Sequence, residues 1–281
     1  MGPSVVVVGS LNMDLVVRAP RRPEAGETLL GTGFATAPGG KGANQAVQAA
    51  RLGASVAMVG RVGDDAFGTA LLDGLRAEGI SAEGVQVVPG VPTGVASIIC
   101  TDDGENAIVV APGANAAWSA EDVAVPPCDV LLLQLEVPFD VAARAAALAH
   151  DHGALVVLNA APAGCLDAPI DVLVVNETEA ASWPEGPSPS GPARMVTTLG
   201  AQGSVSGDLH VPAFAIEAVD TTAAGDAYCA TLAVSLAEGL DLAHAMRRAS
   251  AAGALACTRP GAQPSLATKA EIDAFLRALK A

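Results

Sequence analysis

Six short runs rich in valine and leucine recur along the chain: Val5–Val8, Val56–Val59, Val130–Leu133, Leu155–Leu158, Val172–Val175 and Val196–Leu199. Apolar runs this short, without polar alternation, read as strands buried on both faces, and parallel neighbours need a crossover that a helix usually supplies. Alanine-rich stretches of helical period fall between and after them, at Ala43–Leu52, Asp65–Glu78, Pro138–His152, Asp226–Glu238, Leu242–Cys257 and Lys269–Lys280. Gly53, Gly79, Gly153 and Gly239 stand where helix C-caps fall. The pattern predicts an α/β fold, a doubly wound and mostly parallel sheet with helices on both faces. Two segments, about residues 12–36 and 93–112, break the alternation with strand-like runs and no helix between them. They predict a small β-sheet appendage, a lid over the carboxyl edge of the main sheet, within a single domain spanning 1–281.

Composition bounds what such a fold can do. With 281 residues, 51% hydrophobic and 16% charged, the chain can bury a large core. Its formal net charge of −15 excludes nucleic acid and anionic membrane surfaces as partners, because no basic stripe exists to replace phosphate counterions. An anionic substrate must then be held by local donors. The five cysteines are scattered, odd in number and never spaced C-x-x-C, which argues against a zinc site or a disulfide framework and for a reducing cytoplasm. No apolar run reaches the length of a membrane span.

Polar residues gather where the predicted strands end. Gly9, Ser10, Asn12 and Asp14 follow the first strand, and Glu136, Asn159, Asn176 with Glu179, and Thr198-Leu199-Gly200 follow later ones. In open α/β sheets the ligand crevice lies outside those ends. Gly39-Gly40-Lys41-Gly42-Ala43-Asn44 opens a predicted helix; consecutive glycines permit close backbone approach, while Lys41 and Asn44 offer donors suited to sugar hydroxyls. Neither GxxxxGK[ST] nor a GxGxxG after a strand occurs, so a nucleotide must be bound in another way. Asp220–Asp226 leads into another helix, and its small residues Ala223, Ala224 and Gly225 leave backbone N–H groups uncovered at a positive helix end. Asp226, at the mouth of the same turn, is placed to take a proton from an alcohol. An anion cradle beside a carboxylate base suits phosphoryl transfer to a small hydroxyl compound. The same string also reads as an aspartate N-cap after a tight turn.

Taken in order, Gly9–Asp14, Gly39–Gln45, Asn176–Glu179, Thr198–Gly203 and Asp220–Asp226 resemble the signatures of the PfkB-type carbohydrate kinases, and within them the ribokinase branch. The likeness continues to Thr258–Ser265 and so covers nearly the whole chain. It implies ATP-dependent phosphorylation of D-ribose at the 5-hydroxyl, with Asp226 as general base and Ala223, Ala224 and Gly225 as the anion hole. Asn12, Met13, Asp14, Gly40, Lys41, Asn44, Glu136 and Asp226 would bind the sugar. Asn176, Thr198, Leu199, Gly200, Ala201, Gln202, Gly203 and Ser250, with Gly225 and Asp226, would line the ATP site. Glu179 would orient hydrated Mg²⁺, and an activating K⁺ would lie near Asp220, Thr222, Ala256, Arg259, Gly261 and Ser265. A homodimer joined through the lid is also implied.

Two departures from that pattern stand out. Asn159-Ala160-Ala161-Pro162 replaces the usual Asn-Pro-Ala-Pro, and the segment between Glu179 and Val196 is short and proline-rich. A short helix over Glu177–Trp183 followed by exposed coil to Arg194 is expected there. Other members of the family act on fructose or on nucleosides such as adenosine, and a non-catalytic sugar- or nucleotide-binding relative is a further alternative.

Overall fold

The computed structural model describes residues 2–103, 106–183 and 192–278. In chain order its elements are β1 (Ser4–Val8), β2 (Asn12–Ala19), β3 (Gly33–Gly39), α1 (Lys41–Arg51), β4 (Ser55–Gly63), α2 (Ala66–Ala77), β5 (Ser81–Val88), β6 (Gly94–Thr101) and β7 (Asn106–Ala111). Then come β8 (Val130–Gln134), α3 (Phe139–Asp151), β9 (Leu155–Asn159), β10 (Val172–Asn176), α4 (Glu177–Ala180) and β11 (Arg194–Thr198). The chain continues through β12 (Ser204–Ser206), β13 (Leu209–Val211), α5 (Ala224–Ala237), α6 (Leu242–Cys257) and α7 (Lys269–Ala278).

Alternate side chains of the central strands enter different cores, as the two-residue period of a strand requires. Val5 and Val7 of β1, with Val130 and Leu132 of β8, pack against α1, α2, α5, α6 and α7. Val6, Val8, Leu131 and Leu133 pack against α3 on the opposite face. Helix α5 lies deep enough that Asp226 to Ser235 are all buried, so it is covered on every side rather than amphipathic. Among the described residues the strands form two sheets: nine strands in the order β13-β12-β11-β10-β9-β8-β1-β4-β5, and four in the order β3-β2-β6-β7. In the large sheet the strands from β11 across to β5 run parallel, and only β12 and β13 are joined by antiparallel pairing. From β1 the chain builds outward to β4 and β5, then returns to β8 on the other side of β1. That reversal opens a crevice between β1 and β8, the place where ligands bind in such sheets.

The doubly wound reading holds, and the differences are local. Strand β5 is too polar to announce itself, with Val85 its one buried residue, and β12 and β13 are only three residues long. Helix α5 starts at Ala224, so Asp226 is not its cap but lies inside its first turn. The helix expected to Trp183 ends at Ala180, and most of the coil expected through Arg194 lies outside the described residues.

Candidate active site

The first turn of α1 is tied to both sides of the crevice. Gly40 caps it at φ 89°, and a side chain there would sit 2.7 Å from the Asn12 amide nitrogen. A side chain on Gly42 would lie 2.7 Å from the backbone of Gly9 and Ser10, so both glycines are demanded by close approach. The amides this turn would leave orphaned find partners nearby. Lys41 N–H donates to Glu136 Oε2 at 3.2 Å, Gly42 N–H to Ser10 Oγ at 3.4 Å and Ala43 N–H to the Ser10 carbonyl at 3.0 Å. Ser10 Oγ in turn donates to Glu136 Oε2 at 2.5 Å. Glu136 therefore stands at the N-terminus of α1, accepting from its first amide and from Ser10.

Asp226 faces the same helix from α5. It is 6% exposed, and its carboxylate accepts from Asn44 Nδ2 on Oδ2 at 2.9 Å and from Gln45 Nε2 on Oδ1 at 3.0 Å. Asn44 Oδ1 is buried without a partner among the described residues, an acceptor left for a ligand hydroxyl. Asp14 reaches the same charge cluster from β2. Burial, then the Glu136 and Asp226 charges, raise its carboxyl from the usual 3.8 to about 7. At Gly39, paired across from β2, a Cβ would come within 2.3 Å of the Asp14 carboxylate and force it to shift. Burial pulls Lys41 the other way, but the charges of Asp226, Glu136 and Glu179 outweigh it and hold its ammonium above the ordinary lysine range.

Ala223 alone among the described non-glycine residues has positive φ, 60°. That backbone costs about 1–3 kcal/mol, a strain that collects at functional sites. It turns the chain into α5 without a side-chain cap. The Ala224 amide bends back to the Thr221 carbonyl at 3.3 Å, whereas the Gly225 amide takes no partner among the described residues, and a Cβ built on Gly225 would meet nothing within 4 Å. The cleft in front is lined by Lys41, Asn159, Asn176, Glu179, Thr198, Thr221, Ala223, Gly225, Asp226 and Cys229, among others. Burial raises the Cys229 thiol well above its usual range, so it offers no thiolate at neutral pH.

Most of the residues expected at a site converge here, with exceptions. Asn12 and Asp14 lie on one face of β2, and Met13 between them turns into the core, 6% exposed, so only its backbone is left for a ligand. Asn176 and Glu179 cap α4 reciprocally, each backbone amide donating to the other's side chain at 2.8 Å, which occupies one Glu179 oxygen. Thr198 reaches the cleft. Leu199, Ala201, Gln202 and Gly203 build the turn beside it through a 2.7 Å bond from Leu199 N–H to the Gly203 carbonyl, with Gly200 at φ 53° and Gly203 at φ 99°. Ser250 is buried on α6 and does not line this cleft. Behind the α5 turn, Asp220 accepts from Thr222 N–H at 2.9 Å, Thr222 Oγ1 at 2.6 Å and Gly261 N–H at 2.8 Å, and these bonds overcome burial to lower its carboxyl. Arg259 turns away to pair with Glu271, and Ser265 Oγ donates to the Ala262 carbonyl at 2.8 Å. Ala256 is buried at the end of α6.

Sequence reasoning gives no role to Gln45, although it sits inside the glycine-rich motif, nor to Asn115. Asn115 accepts from Leu11 N–H at 3.0 Å and donates to the Leu11 carbonyl at 3.0 Å and to Asn12 Oδ1 at 2.8 Å, fixing the Asn12 amide. Only its place, in the loop after the second lid-like segment, could have hinted at it.

Residues 3–269 match the family model described as pfkB family carbohydrate kinase. The chain belongs to that family. As a family member it is a phosphotransferase that acts on an alcohol group. The ribokinase of Bacillus subtilis (strain 168) is 42% identical to it, over 97% of this chain and 99% of that one. Among solved structures, the ribokinase of Thermotoga maritima superposes with a TM-score of 0.88 at 33% identity, covering 98% of this chain and 99% of that one. The Arabidopsis thaliana ribokinase complexed with ribose and ATP gives 0.84 at 31% identity, covering 99% of both. Among the described residues of this kinase, no helix is long and apolar enough to cross a membrane.

Proposed function

We propose that this chain transfers the γ-phosphoryl group of ATP to the 5-hydroxyl of D-ribose, giving ribose 5-phosphate and ADP. The observation that carries the reading is Asp226, a buried carboxylate held by two amide donors at the start of a helix whose Gly225 amide is free. As the hydroxyl oxygen attacks phosphorus in line, its O–H proton passes to Asp226 and the bond from phosphorus to the ADP oxygen breaks. Charge developing on the transferred group meets the amides at Ala223 and Gly225, backed by the α5 dipole, and Lys41 supplies a full positive charge on the facing helix. Ala224 contributes less than the sequence pattern implies, since its amide already has a partner.

Asn12, Asp14, Asn44 and Glu136 offer amides and carboxylates for the sugar hydroxyls, together with the backbone at Met13 and Gly40. A site built to hydrogen-bond each hydroxyl rejects sugars that lack one. Asn176, Thr198 and the Leu199–Gly203 turn would hold the nucleotide. Glu179 keeps one carboxylate oxygen for the water shell of Mg²⁺, which when bound to the phosphates neutralises their charge. Asp220 and the loop carbonyls around Ala256–Ser265 are an oxygen-rich set suited to K⁺. Omitting K⁺ at fixed ionic strength should lower the rate, and an unchanged rate counts against that site.

The four-stranded sheet exposes Phe34 at 69%, Ile108 at 52% and Val109 at 72%, apolar area that fits the lid-to-lid homodimer. Light scattering that finds only monomer at micromolar concentration would reject it. All five cysteines are free thiols, in keeping with a reducing cytoplasm. The deciding experiment is a coupled assay over ribose, 2-deoxyribose, fructose and adenosine with ATP. The highest kcat/KM should fall on ribose, and a clear preference for another acceptor would overturn the substrate while leaving the family intact.

A further inference from the structure

The Asp226 carboxylate is the end of a buried amide chain that starts at the central sheet, on the far side of α1. Gln134, the last residue of β8, donates through Nε2 to Gln45 Oε1 at 2.7 Å. Gln45 Nε2 then donates to Asp226 Oδ1 at 3.0 Å and to Asn159 Oδ1, at the end of β9, at 3.2 Å. Gln45 and Gln134 are both 0% exposed, so neither can touch a ligand in the cleft. The direction of the chain is set by chemistry: an ionised carboxylate only accepts, so Gln45 must present its NH₂ to Asp226 and its carbonyl oxygen to Gln134.

That order has a cost, and the fold bears it. Gln134 Oε1 is left buried without a partner among the described residues, and Gly9 lies so close that a Cβ there would fall 2.0 Å from it. A buried acceptor without a partner is destabilising, and an apolar residue at 134 would avoid that. An arrangement kept at such a cost needs a reason outside packing.

We infer that Gln45 is a positioning residue for the phosphoryl-transfer step: it fixes the orientation of the Asp226 carboxylate, and Gln134 fixes Gln45. The inference rests on Asp226 being the base. With Asn44 on Oδ2 and Gln45 on Oδ1, the carboxylate plane is held from both ends, and an attacking hydroxyl meets it without a search over rotamers. Asn44 keeps a free acceptor for a ligand and Gln45 keeps none, so the two neighbours divide binding from positioning.

The test is a split between kcat and sugar affinity. Gln45→Leu roughly keeps the side-chain volume and removes the donor; kcat should fall about 10- to 100-fold, the range for a misplaced catalytic group. Sugar affinity measured by calorimetry should stay within about twofold, because Gln45 is out of reach of the ligand. Gln134→Met acts at one remove: it removes the donor to Gln45 Oε1 while roughly keeping the side-chain volume, so the Gln45 amide is no longer held in place. This variant should also lose kcat with sugar affinity kept, by less than Gln45→Leu does. Melting curves confirm that each variant is folded. Asp226→Asn is assayed alongside. If it is inactive while folded Gln45→Leu turns over normally, the positioning role is wrong and the base stands. If Asp226→Asn is itself active, both readings fall. A loss of sugar affinity matching the loss of kcat in Gln45→Leu would also overturn the inference, since it would mark Gln45 as a binding residue.

Discussion

On the α5 side of the cleft the Asp226 carboxylate receives one amide donor on each oxygen, whereas on the β2 side no hydrogen bond reaches the Asp14 carboxyl among the described residues. Both groups belong to the same cluster with Glu136 and Lys41. The α5 side is finished before any ligand arrives: its geometry is fixed by Asn44, Gln45, Asn159 and Gln134. The β2 side is left electrostatically incomplete, and burial with two neighbouring carboxylates raises Asp14 to about 7. A group that must act on a proton in one brief step gains from being held still, and a group that must recognise several hydroxyls gains from having lone pairs free until they come.

The largest effect separates the two by function. Asp226→Asn keeps shape and burial but removes the base, and kcat should fall by about 10² to 10⁴, the range for a general base. Sugar affinity should change little, because the proton moves only during transfer. Near-normal kcat in a folded variant would end the assignment of Asp226.

Asp14→Asn should do the reverse. One acceptor for the sugar is lost, so KM for the sugar should rise about 10- to 100-fold, in keeping with an unpaired polar contact, while kcat at saturating sugar falls less. Stability should move in the opposite direction. The Asp14 carboxyl titrates at about 7 in the folded protein against an ordinary 3.8, so between those values the folded protein holds a proton that the unfolded chain releases. Its contribution to stability declines as pH rises through that window, and the full penalty applies above about 7. The Asn variant should therefore melt higher than the parent at about pH 8, with the gap closing towards about pH 4. An equal or lower melting temperature at the higher pH would show that the surroundings of Asp14 do not raise its carboxyl.

The same contrast explains what the sequence can reveal. Strands such as Val5–Val8 are legible because burial on both faces leaves no room for polar residues, and Gly40 and Gly42 because backbone contact tolerates nothing else. Asn12, Asp14, Lys41, Asn44, Glu136 and Asp226 stand at strand ends and helix starts, where polar residues are conspicuous. Gln45 and Asn115 act through contacts 181 and 103 residues away in the chain, to Asp226 and Asn12, and no local pattern encodes such a distance. The Met13 side chain turns away for a related reason: the motif is continuous in sequence, but a strand sends every second side chain to the other face. The start of α5 is hidden because Ala223 caps it through a left-handed backbone rather than a side chain, which leaves no mark in residue type.

The smallest predicted effect is the sharpest test of the incomplete side. With Asp14 at about 7, about half of the free protein carries a proton on it at neutral pH. Sugar hydroxyls that donate to the carboxylate favour its charged form and draw that value down, so binding at neutral pH should expel up to about half a proton per site. Calorimetry in buffers of different ionisation enthalpy reads this directly: the apparent binding enthalpy should vary linearly with buffer enthalpy, and the slope gives the protons released. At about pH 8.5 the carboxyl is already ionised and the slope should shrink towards zero. Asp14→Asn should abolish it at neutral pH, whereas Gln45→Leu, altered only on the finished side, should leave it in place. A slope of zero in the parent at neutral pH would mean that sugar does not complete the β2 side, and the contrast between the two carboxylates would then be one of structure without consequence for binding.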